Sequence, residues 1–216
     1  SADGLGSLID ALPIHTHSFK EVARGKDDLA AFLYTSGTTG RSKGAMLTHD
    51  NLVSNAQSLC QCWHFDNTDV LIHALPLFHI HGLFVATNVT LSAGSSMIFM
   101  PRFDSEMIIS LMSRATVLMG VPTFYVRLLE SANLCAATVA PMRLFISGSA
   151  PLLAETHKQW QEVTGTAILE RYGMTETNMN TSNPYQGERR AGTVGMPLPG
   201  VEVRIVDADS GQPPVS

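Results

Sequence analysis

The sequence predicts an α/β protein in which a layered, mostly parallel sheet is flanked by helices. Apolar runs of strand length alternate with segments of helix length, and the connections between them are short. The apolar runs are also nearly continuous. Strands that helices cover on both faces are expected to be apolar throughout, because neither face meets water.

The predicted elements follow one another along the chain in an alternating order. Strands are predicted at residues 29–35, 69–75, 96–100, 116–121, 142–147, 166–172 and 200–207. Helices are predicted from Thr48 to Trp63, over residues 79–93, after Asp104, from Pro122, and from Pro151 to about residue 163. Threonine and aspartate are good N-caps, and proline suits the first position of a helix. Loops are predicted directly after the first strand and over residues 182–195.

Composition excludes several classes of function. The 216 residues carry a formal net charge of −5 and no basic run, so a nucleic-acid partner is not expected. The longest apolar region, residues 82–100, is interrupted by polar side chains and does not predict a membrane span. Cys60, Cys62 and Cys135 do not form a disulfide framework, and they favour a reducing, cytoplasmic location.

Charged side chains are scarce and unevenly distributed. They make up 15% of the sequence, against roughly 25% in an ordinary globular protein. No lysine or arginine lies between Lys43 and Arg102. Because a protein surface in water normally mixes both signs of charge, we expect other protein to cover this stretch. We therefore expect the chain to be a piece of a longer protein.

The loop at residues 34–44 has the composition of a phosphate-binding site. It reads Y-T-S-G-T-T-G-R-S-K-G, with glycines, serines and threonines around one lysine. Glycines let the backbone approach a ligand closely, and consecutive N–H groups form a nest for an anion. Lys43 adds a compact positive charge. The spacing differs from the Walker A pattern, because only two residues separate Gly40 from Lys43.

Several motifs together resemble one family. Residues 34–49, Y-T-S-G-T-T-G-R-S-K-G-A-M-L-T-H, resemble the phosphate-binding signature of the adenylate-forming superfamily, which includes acyl-CoA synthetases. Further motifs resemble that family in its own order at residues 75–79 (LPLFH), 147–152 (SGSAPL), 170–176 (ERYGMTE) and 195–200 (GMPLPG). The resemblance spans about residues 27–207, and within the superfamily it points to malonyl-CoA synthetases. It implies a part of the large N-terminal domain of an adenylate-forming enzyme.

The resemblance implies a reaction in two halves. ATP activates a small carboxylic acid as an acyl-adenylate, and a thiol, usually that of coenzyme A, then takes the acyl group. ATP, Mg²⁺ and coenzyme A are therefore the expected cofactors and co-substrates. The ATP-binding residues that it implies are Thr35, Ser36, Gly37, Thr38, Thr39, Gly40, Lys43, Gly148, Ser149, Ala150, Glu170, Arg171, Tyr172, Gly173, Met174 and Thr175.

The same resemblance implies a role for each candidate catalytic residue. Lys43 would steady the leaving pyrophosphate, and Thr175 would donate its hydroxyl to the α-phosphate. Glu176 would hold Mg²⁺, a hard cation that prefers carboxylate and phosphate oxygens. His79 would lie near the reacting carboxylate. The residues expected to contact the acid are His79, Arg127, Ser147 and Met174.

The hypothesis about which acid is used depends on Arg127. It lies in the helix predicted from Pro122, which the resemblance places at the acyl pocket. A dicarboxylate such as malonate or methylmalonate buries a second charge that needs a partner, and arginine pairs with carboxylates bidentately. The alternative interpretation is a solvated arginine on an exposed helix face. The competing function within the same superfamily is a ligase for a neutral fatty or aromatic acid, for which an apolar residue is expected at this position.

A second alternative belongs to another class of function, a nucleotide-binding module that catalyses nothing. Residues 1–26 are expected to be an irregular lead-in and residues 27–207 a partial AMP-binding core. Residues 208–216 are expected to begin a further segment, with the C-terminal lid domain absent. We expect this chain without those parts to have little or no ligase activity.

Overall fold

The computed structural model describes residues 21–35 and 42–213. Over these residues the strands are β1 Leu29–Thr35, β2 Lys43–Thr48, β3 Val70–His73, β4 Ser96–Phe99, β5 Val117–Gly120, β6 Leu144–Ser147, β7 Leu169–Met174, β8 Asn178–Ser182 and β9 Met196–Pro197. The α-helices are α1 His49–Trp63, α2 Thr87–Ser92, α3 Ser105–Leu111, α4 Pro122–Leu129, α5 Ala136–Val139 and α6 Ala154–Thr164. A π-helical segment, His81–Ala86, precedes α2, and a 3₁₀ turn, Met112–Arg114, follows α3.

Seven of the strands in the described ranges form one mixed sheet, in the order β4-β3-β5-β6-β7-β8-β9. The pairs from β4 to β7 are parallel, and β8 and β9 pair antiparallel at the other edge. All four residues of β5 and of β6 are buried, as expected of central strands covered on both faces. The predicted α/β class and mostly parallel sheet are confirmed.

The core lies between the sheet and the helices packed on it. Trp160 of α6 is fully buried, and its ring meets Tyr125 of α4 and Phe145 of β6 edge-on, at centroid distances of 5.1 and 4.9 Å. Edge-to-face contacts of this kind add to the free energy gained by burying the rings. The core therefore joins α4 and α6 to the centre of the sheet.

Three local signals in the sequence predicted helix starts correctly. Thr48 caps α1, because its hydroxyl accepts the N–H of Asn51 while the Asn51 side chain accepts the N–H of Thr48. Asp104 caps α3 by accepting the N–H of Met107 at 2.9 Å. Pro122 is the first residue of α4.

Two predicted starts are displaced. The helix expected over residues 79–93 begins as a π-helix at His81. The Thr87 hydroxyl donates to the carbonyl of Gly82 at 2.9 Å, which occupies an acceptor that a regular helix would use. The helix expected from Pro151 begins at Ala154, and residues 151–153 form no regular element.

Strand prediction failed at four places. Residues 201–207 have no strand partner in the part of the chain that the structure describes and are mostly exposed, so the strand expected over residues 200–207 is wrong. The sequence pattern also missed β2, β8 and β9. Strand β2 pairs antiparallel with β1, and Thr35 lies opposite Lys43 at one end of the pair.

No helix among the described residues is long and apolar enough to cross a membrane.

Candidate functional site

A cavity of about 440 Å³ lies where the β1–β2 hairpin, the π-helical segment and the β7–β8 hairpin meet. The tip of the β7–β8 hairpin is the turn at residues 175–177, directly beyond the carboxyl end of β7. Ligands of open α/β sheets commonly bind beyond these ends of the strands. The residues that line the cavity are Thr35, Lys43, His79, Ile80, Ser149, Arg171, Gly173, Met174, Thr175, Glu176 and Met179.

The structure brings the two ends of the predicted phosphate site together. Thr35 and Lys43 line the cavity from the β1–β2 hairpin, and Thr175 and Glu176 line it from the other hairpin. The Thr35 hydroxyl lies 3.4 Å from Glu176 Oε1 and 3.5 Å from the Lys43 carbonyl. The remaining predicted phosphate-loop residues, Ser36, Gly37, Thr38, Thr39 and Gly40, lie outside the described residues.

Close backbone packing sets the shape of the β7–β8 hairpin. A Cβ on Gly173 would lie 2.1 Å from the carbonyl oxygen of Asn178, so only glycine fits there. The register shifts between Tyr172 and Gly173, which is a β-bulge that bends the strand. Gly173 therefore allows the turn that carries Thr175 and Glu176 to reach the cavity.

A second cavity, of about 260 Å³, adjoins the first and is more closed and apolar. Its lining comprises Ser147, Ser149, Ala150, Pro151, Leu152, Glu170, Arg171, Tyr172, Gly173, Gly192 and Val194. Of the predicted ATP-binding residues, this lining includes Ser149, Ala150, Glu170, Arg171, Tyr172 and Gly173, but not Gly148. A Cβ on Gly148 would lie 2.4 Å from Cζ of Arg171, so this glycine makes room for the guanidinium group.

Glu170 joins the wall of the second cavity to the loop that follows β8. Its carboxylate accepts the N–H of Gly192 at 3.2 Å and lies 3.3 Å from Nδ1 of His157, and both side chains are buried. Its backbone carbonyl accepts the N–H of Asn183 at 2.9 Å. Glu170 thus holds Gly192 in place along one side of the cavity.

His79 lines the first cavity as a hydrogen-bond donor. The N–H of His81 donates to Nδ1 of His79 at 3.1 Å, so the neutral His79 ring carries its proton on Nε2. Burial lowers the pKa of His79, and the positive charge of Arg171 lowers it further. The side chain is therefore neutral at physiological pH and suited to donate to a carboxylate.

His81 is buried behind His79. Its Nδ1 lies 3.1 Å from the Ser149 hydroxyl, and Ser149 has a left-handed backbone with φ of 71°. Burial lowers the pKa of His81 well below its ordinary value, with Arg171 as the next cause.

Arg171 is the buried cation between the two cavities. Its side chain is 3% exposed and lines both of them. Burial lowers its pKa to about 10, so the guanidinium stays charged at neutral pH. Its Nε and Nη2 atoms have no hydrogen-bond partner among the described residues. Buried charges normally have a partner, and this one therefore favours an anionic ligand.

The structure does not bring Arg127 to either cavity. Its side chain is exposed on α4, and its guanidinium lies 5.8 Å from the ring centroid of Phe103. The hypothesis that Arg127 faces the acid is corrected by this position, which matches the alternative of a solvated arginine. The buried residues of α4 are Phe124, Tyr125 and Leu128, and Arg127 is not among them.

Sequence reasoning missed two residues of the first cavity and the burial of a third. Ile80 and Met179 line the first cavity, and the position of Ile80 between two histidines was the available signal. Arg171 was assigned to ATP through its motif, and its burial without an anionic partner could not be deduced from residue type.

The residues present fit a magnesium ion bound together with phosphates. Glu176 is the one carboxylate in the lining of the first cavity, and the Thr35 hydroxyl is beside it. Within the described ranges, no group of three or more His, Cys, Asp or Glu side chains could hold a metal alone. Mg²⁺ commonly takes one or two carboxylates and fills its shell with phosphate oxygens and water. This donor set suits that arrangement.

The fold and its two adjoining cavities define an α/β ligand-binding domain. The model of the AMP-binding enzyme family matches residues 5–215, and the chain belongs to this family.

Within this family, the chain is similar to several ligases that act on malonate. The chain is 39% identical to a malonate–CoA ligase of Arabidopsis thaliana over 89% of this chain and 35% of that protein. It is 64% identical to ATP-bound MatB from Rhodopseudomonas palustris, with a TM-score of 0.93 over 97% of this chain and 42% of that one. A malonyl-CoA ligase product complex with methylmalonyl-CoA and AMP matches with 42% identity, a TM-score of 0.81 and coverage of 88% and 44%. The chain thus spans about a third of the length of the curated relatives it matches.

Proposed function

We propose that the whole protein activates a short dicarboxylic acid, malonate or methylmalonate, with ATP and transfers the acyl group to coenzyme A. The products are malonyl-CoA or its methyl homologue, AMP and pyrophosphate. The relatives support this proposal, because they include a malonate–CoA ligase and a ligase solved with methylmalonyl-CoA and AMP. A cytoplasmic location stays a prediction.

The burial of Arg171 is the observation that supports a dicarboxylic acid as the substrate. A charged guanidinium with two unpartnered donors lines the same cavity as His79. A dicarboxylic acid has one carboxylate to react and a second to bind, and arginine pairs with carboxylates bidentately. A neutral acid has no second carboxylate to offer this guanidinium and would gain less binding free energy from it. Arg171 thus takes the role first predicted for Arg127.

The first half-reaction follows from the groups around the larger cavity. A carboxylate oxygen of the acid attacks the α-phosphorus of ATP, and the bond to pyrophosphate breaks with its electron pair leaving on pyrophosphate. Nε2–H of His79 donates to the attacking carboxylate and holds it in line. Lys43 and Thr175 stabilise the developing phosphate charge. Glu176 would hold Mg²⁺, which neutralises phosphate charge when bound.

In the second half-reaction, the thiolate of coenzyme A attacks the acyl carbon and AMP leaves with the electron pair of the acyl–oxygen bond. The second cavity would hold the adenine ring throughout, between Tyr172 and the small residues Ser149 and Ala150. Small side chains allow a flat base to pack closely. Glu170 keeps the Gly192 side of this cavity in position.

A pyrophosphate-release assay on the whole protein tests the choice of acid. We expect malonate and methylmalonate to react faster than butyrate or benzoate. Arg171→Met should lower kcat/KM for malonate by about 100-fold, because removing one partner of a buried charge pair leaves the other uncompensated. The value for butyrate should fall by less than about threefold.

Arg127→Met is the matched control, since it removes an exposed arginine from the same protein. It should change kcat/KM for malonate by less than about twofold. A loss of malonate use in Arg127→Met but not in Arg171→Met would return the dicarboxylate role to Arg127. Faster reaction of the unaltered protein with butyrate or benzoate would support the neutral-acid alternative, and no pyrophosphate release with any acid would support the non-catalytic one.

A further inference from the structure

Two hydrogen bonds join α1 to the first residues of β8. The side-chain amide of Asn55 donates from Nδ2 to the carbonyl of Met179 at 2.8 Å, and its Oδ1 accepts the N–H of Met179 at 3.2 Å. One side chain therefore pairs with both backbone groups of residue 179, as a neighbouring strand would. Asparagine can do this because its amide has a donor and an acceptor at one end.

A third hydrogen bond strengthens the same junction. Asn178 donates from Nδ2 to the carbonyl of Asn51 at 3.2 Å. Asn178 is 4% exposed, and its φ of 56° places it in the left-handed region directly after the turn. The chain is thus held to α1 at the two residues that follow the turn at residues 175–177.

The other end of this arrangement is the β1–β2 hairpin, called the phosphate hairpin here because it carries Thr35 and Lys43. Strand β2 begins at Lys43 and leads through the N-cap Thr48 into α1. Regular elements hold their residues more precisely than loops do. Strand β2 and α1 therefore relate the position of Lys43, at the start of β2, to that of Asn55 within α1. Asn55 connects α1 to the turn that bears Thr175 and Glu176. Among the described residues, the β1–β2 hairpin and this turn are also joined directly by the hydrogen bond between Thr35 and Glu176, which is exposed.

We propose that Asn55 is a positioning residue that holds Glu176 and Thr175 at the correct distance from the phosphate hairpin for binding magnesium-ATP. Asn55 is absent from the lining of the 440 Å³ cavity, so it acts through the β7–β8 turn and not on the nucleotide. The inference rests on the proposed function, because it requires that this cavity binds magnesium-ATP.

The chemistry of the amide makes a near-isosteric test available. Asn55→Asp keeps an oxygen that accepts the N–H of Met179, but it replaces the donor with an oxygen that faces the Met179 carbonyl. The turn should then shift while the helix remains. Gln57→Glu makes the same amide-to-carboxylate change at an exposed position of α1 and is the matched control.

The experiment measures steady-state kinetics of the whole protein with ATP, malonate and varied Mg²⁺. In Asn55→Asp we expect the half-saturating Mg²⁺ concentration and the KM for ATP to rise about tenfold, the effect of losing roughly one hydrogen bond to a correctly placed group. The KM for malonate should change by less than about twofold. Gln57→Glu should leave all three constants within about twofold.

A double-mutant cycle separates positioning from general weakening. If Asn55 acts through Glu176, adding Asn55→Asp to Glu176→Gln should not raise the Mg²⁺ requirement further. Unchanged Mg²⁺ dependence in Asn55→Asp, an equal rise in the KM for malonate, or full additivity with Glu176→Gln would each overturn the inference.

Two further measurements keep the outcome decisive. If Asn55→Asp does not give folded protein by circular dichroism, Asn55→Ser, which loses the pairing without adding charge, is judged by the same criteria. Binding of magnesium-ATP to the unaltered protein is measured by calorimetry. Its absence would reject the proposed function, whereas binding that Asn55→Asp and Asn55→Ser leave unchanged would reject only the role of Asn55.

Discussion

Thr35 Oγ1 lies 3.4 Å from Oε1 of Glu176, although the two residues are 141 positions apart in the sequence. Each stands at the end of a different β-hairpin, and both line one cavity with Lys43 and Thr175. A hydroxyl, an ammonium group and a carboxylate around one space are the groups that a metal-bound polyphosphate requires. This contact is the geometric basis for the first half of the proposed reaction.

Removing the charge of Glu176 should weaken metal-dependent binding of ATP. Glu176→Gln keeps the size of the side chain but takes away the one carboxylate in the cavity lining. We expect the half-saturating Mg²⁺ concentration to rise about 10- to 100-fold, measured by calorimetry at fixed ATP. Glu188→Gln, a change at a carboxylate whose side chain is 76% exposed, should have no effect. An equal response of the two variants would contradict a metal-binding role for Glu176.

Replacing Lys43 should slow the step that releases pyrophosphate. Lys43→Met keeps the aliphatic stem and removes the ammonium group, so the leaving charge loses a fixed counter-charge. We expect kcat/KM for ATP to fall by about 100-fold, with pyrophosphate release as the readout. Lys158→Met alters an exposed lysine on α6 and serves as the control. Comparable activity of the two variants would remove Lys43 from the mechanism.

Three histidines with lowered pKa values should make the folded state less stable in acid. Burial lowers the pKa of His73, His79 and His81, and Arg171 contributes to the latter two. The unfolded chain therefore binds more protons than the folded chain below about pH 6.5, the ordinary histidine pKa. The three histidines therefore contribute fully to the free energy of unfolding above about pH 6.5. This contribution is lost as the pH falls from there toward their lowered pKa values in the folded state.

Urea unfolding at pH 7.5 and pH 5 measures this loss. One histidine that stays neutral when folded costs roughly 2 kcal/mol of unfolding free energy over that interval. His81→Asn should reduce the difference between the two pH values, whereas His49→Gln, at an exposed position of α1, should not. An unaltered pH dependence in His81→Asn would show that His81 titrates normally.

The pair of Asp69 and Arg143 should contribute strongly to stability. Asp69 is 2% exposed and forms a two-contact ion pair with Arg143, with Nε to Oδ1 at 2.7 Å. Arg143 also donates to the carbonyl of Trp63 at 3.0 Å, which joins the end of α1 to the sheet. Arg143→Met should lower the unfolding free energy by about 3 kcal/mol, because it leaves a buried carboxylate unpaired.

The matched control for that pair is on the surface. Arg190→Met breaks an exposed ion pair with Glu188, with a separation of 3.6 Å, and should change the unfolding free energy by less than about 0.5 kcal/mol. Chemical denaturation at pH 7.5 measures both variants. A loss below about 1 kcal/mol in Arg143→Met would mean that water or other groups satisfy Asp69.

Much of this architecture is encoded in short stretches of sequence. The starts of α1, α3 and α4 were predictable because Thr48, Asp104 and Pro122 act on the backbone within a few residues of themselves. The central strands were predictable because burial on both faces requires apolar side chains throughout. The phosphate-loop and Thr-Glu motifs were likewise recognisable from residue type and order.

Other features depend on contacts between distant segments, and no local pattern contains them. Strand β2 forms because β1 lies beside it, although its own residues are typical of a loop. The exposure of Arg127 and the burial of Arg171 could not be predicted from residue type, because side-chain direction and burial follow from packing. The contact made by Asn55 could not be predicted for the same reason, since its amide pairs with the backbone of Met179 only because β8 lies beside α1.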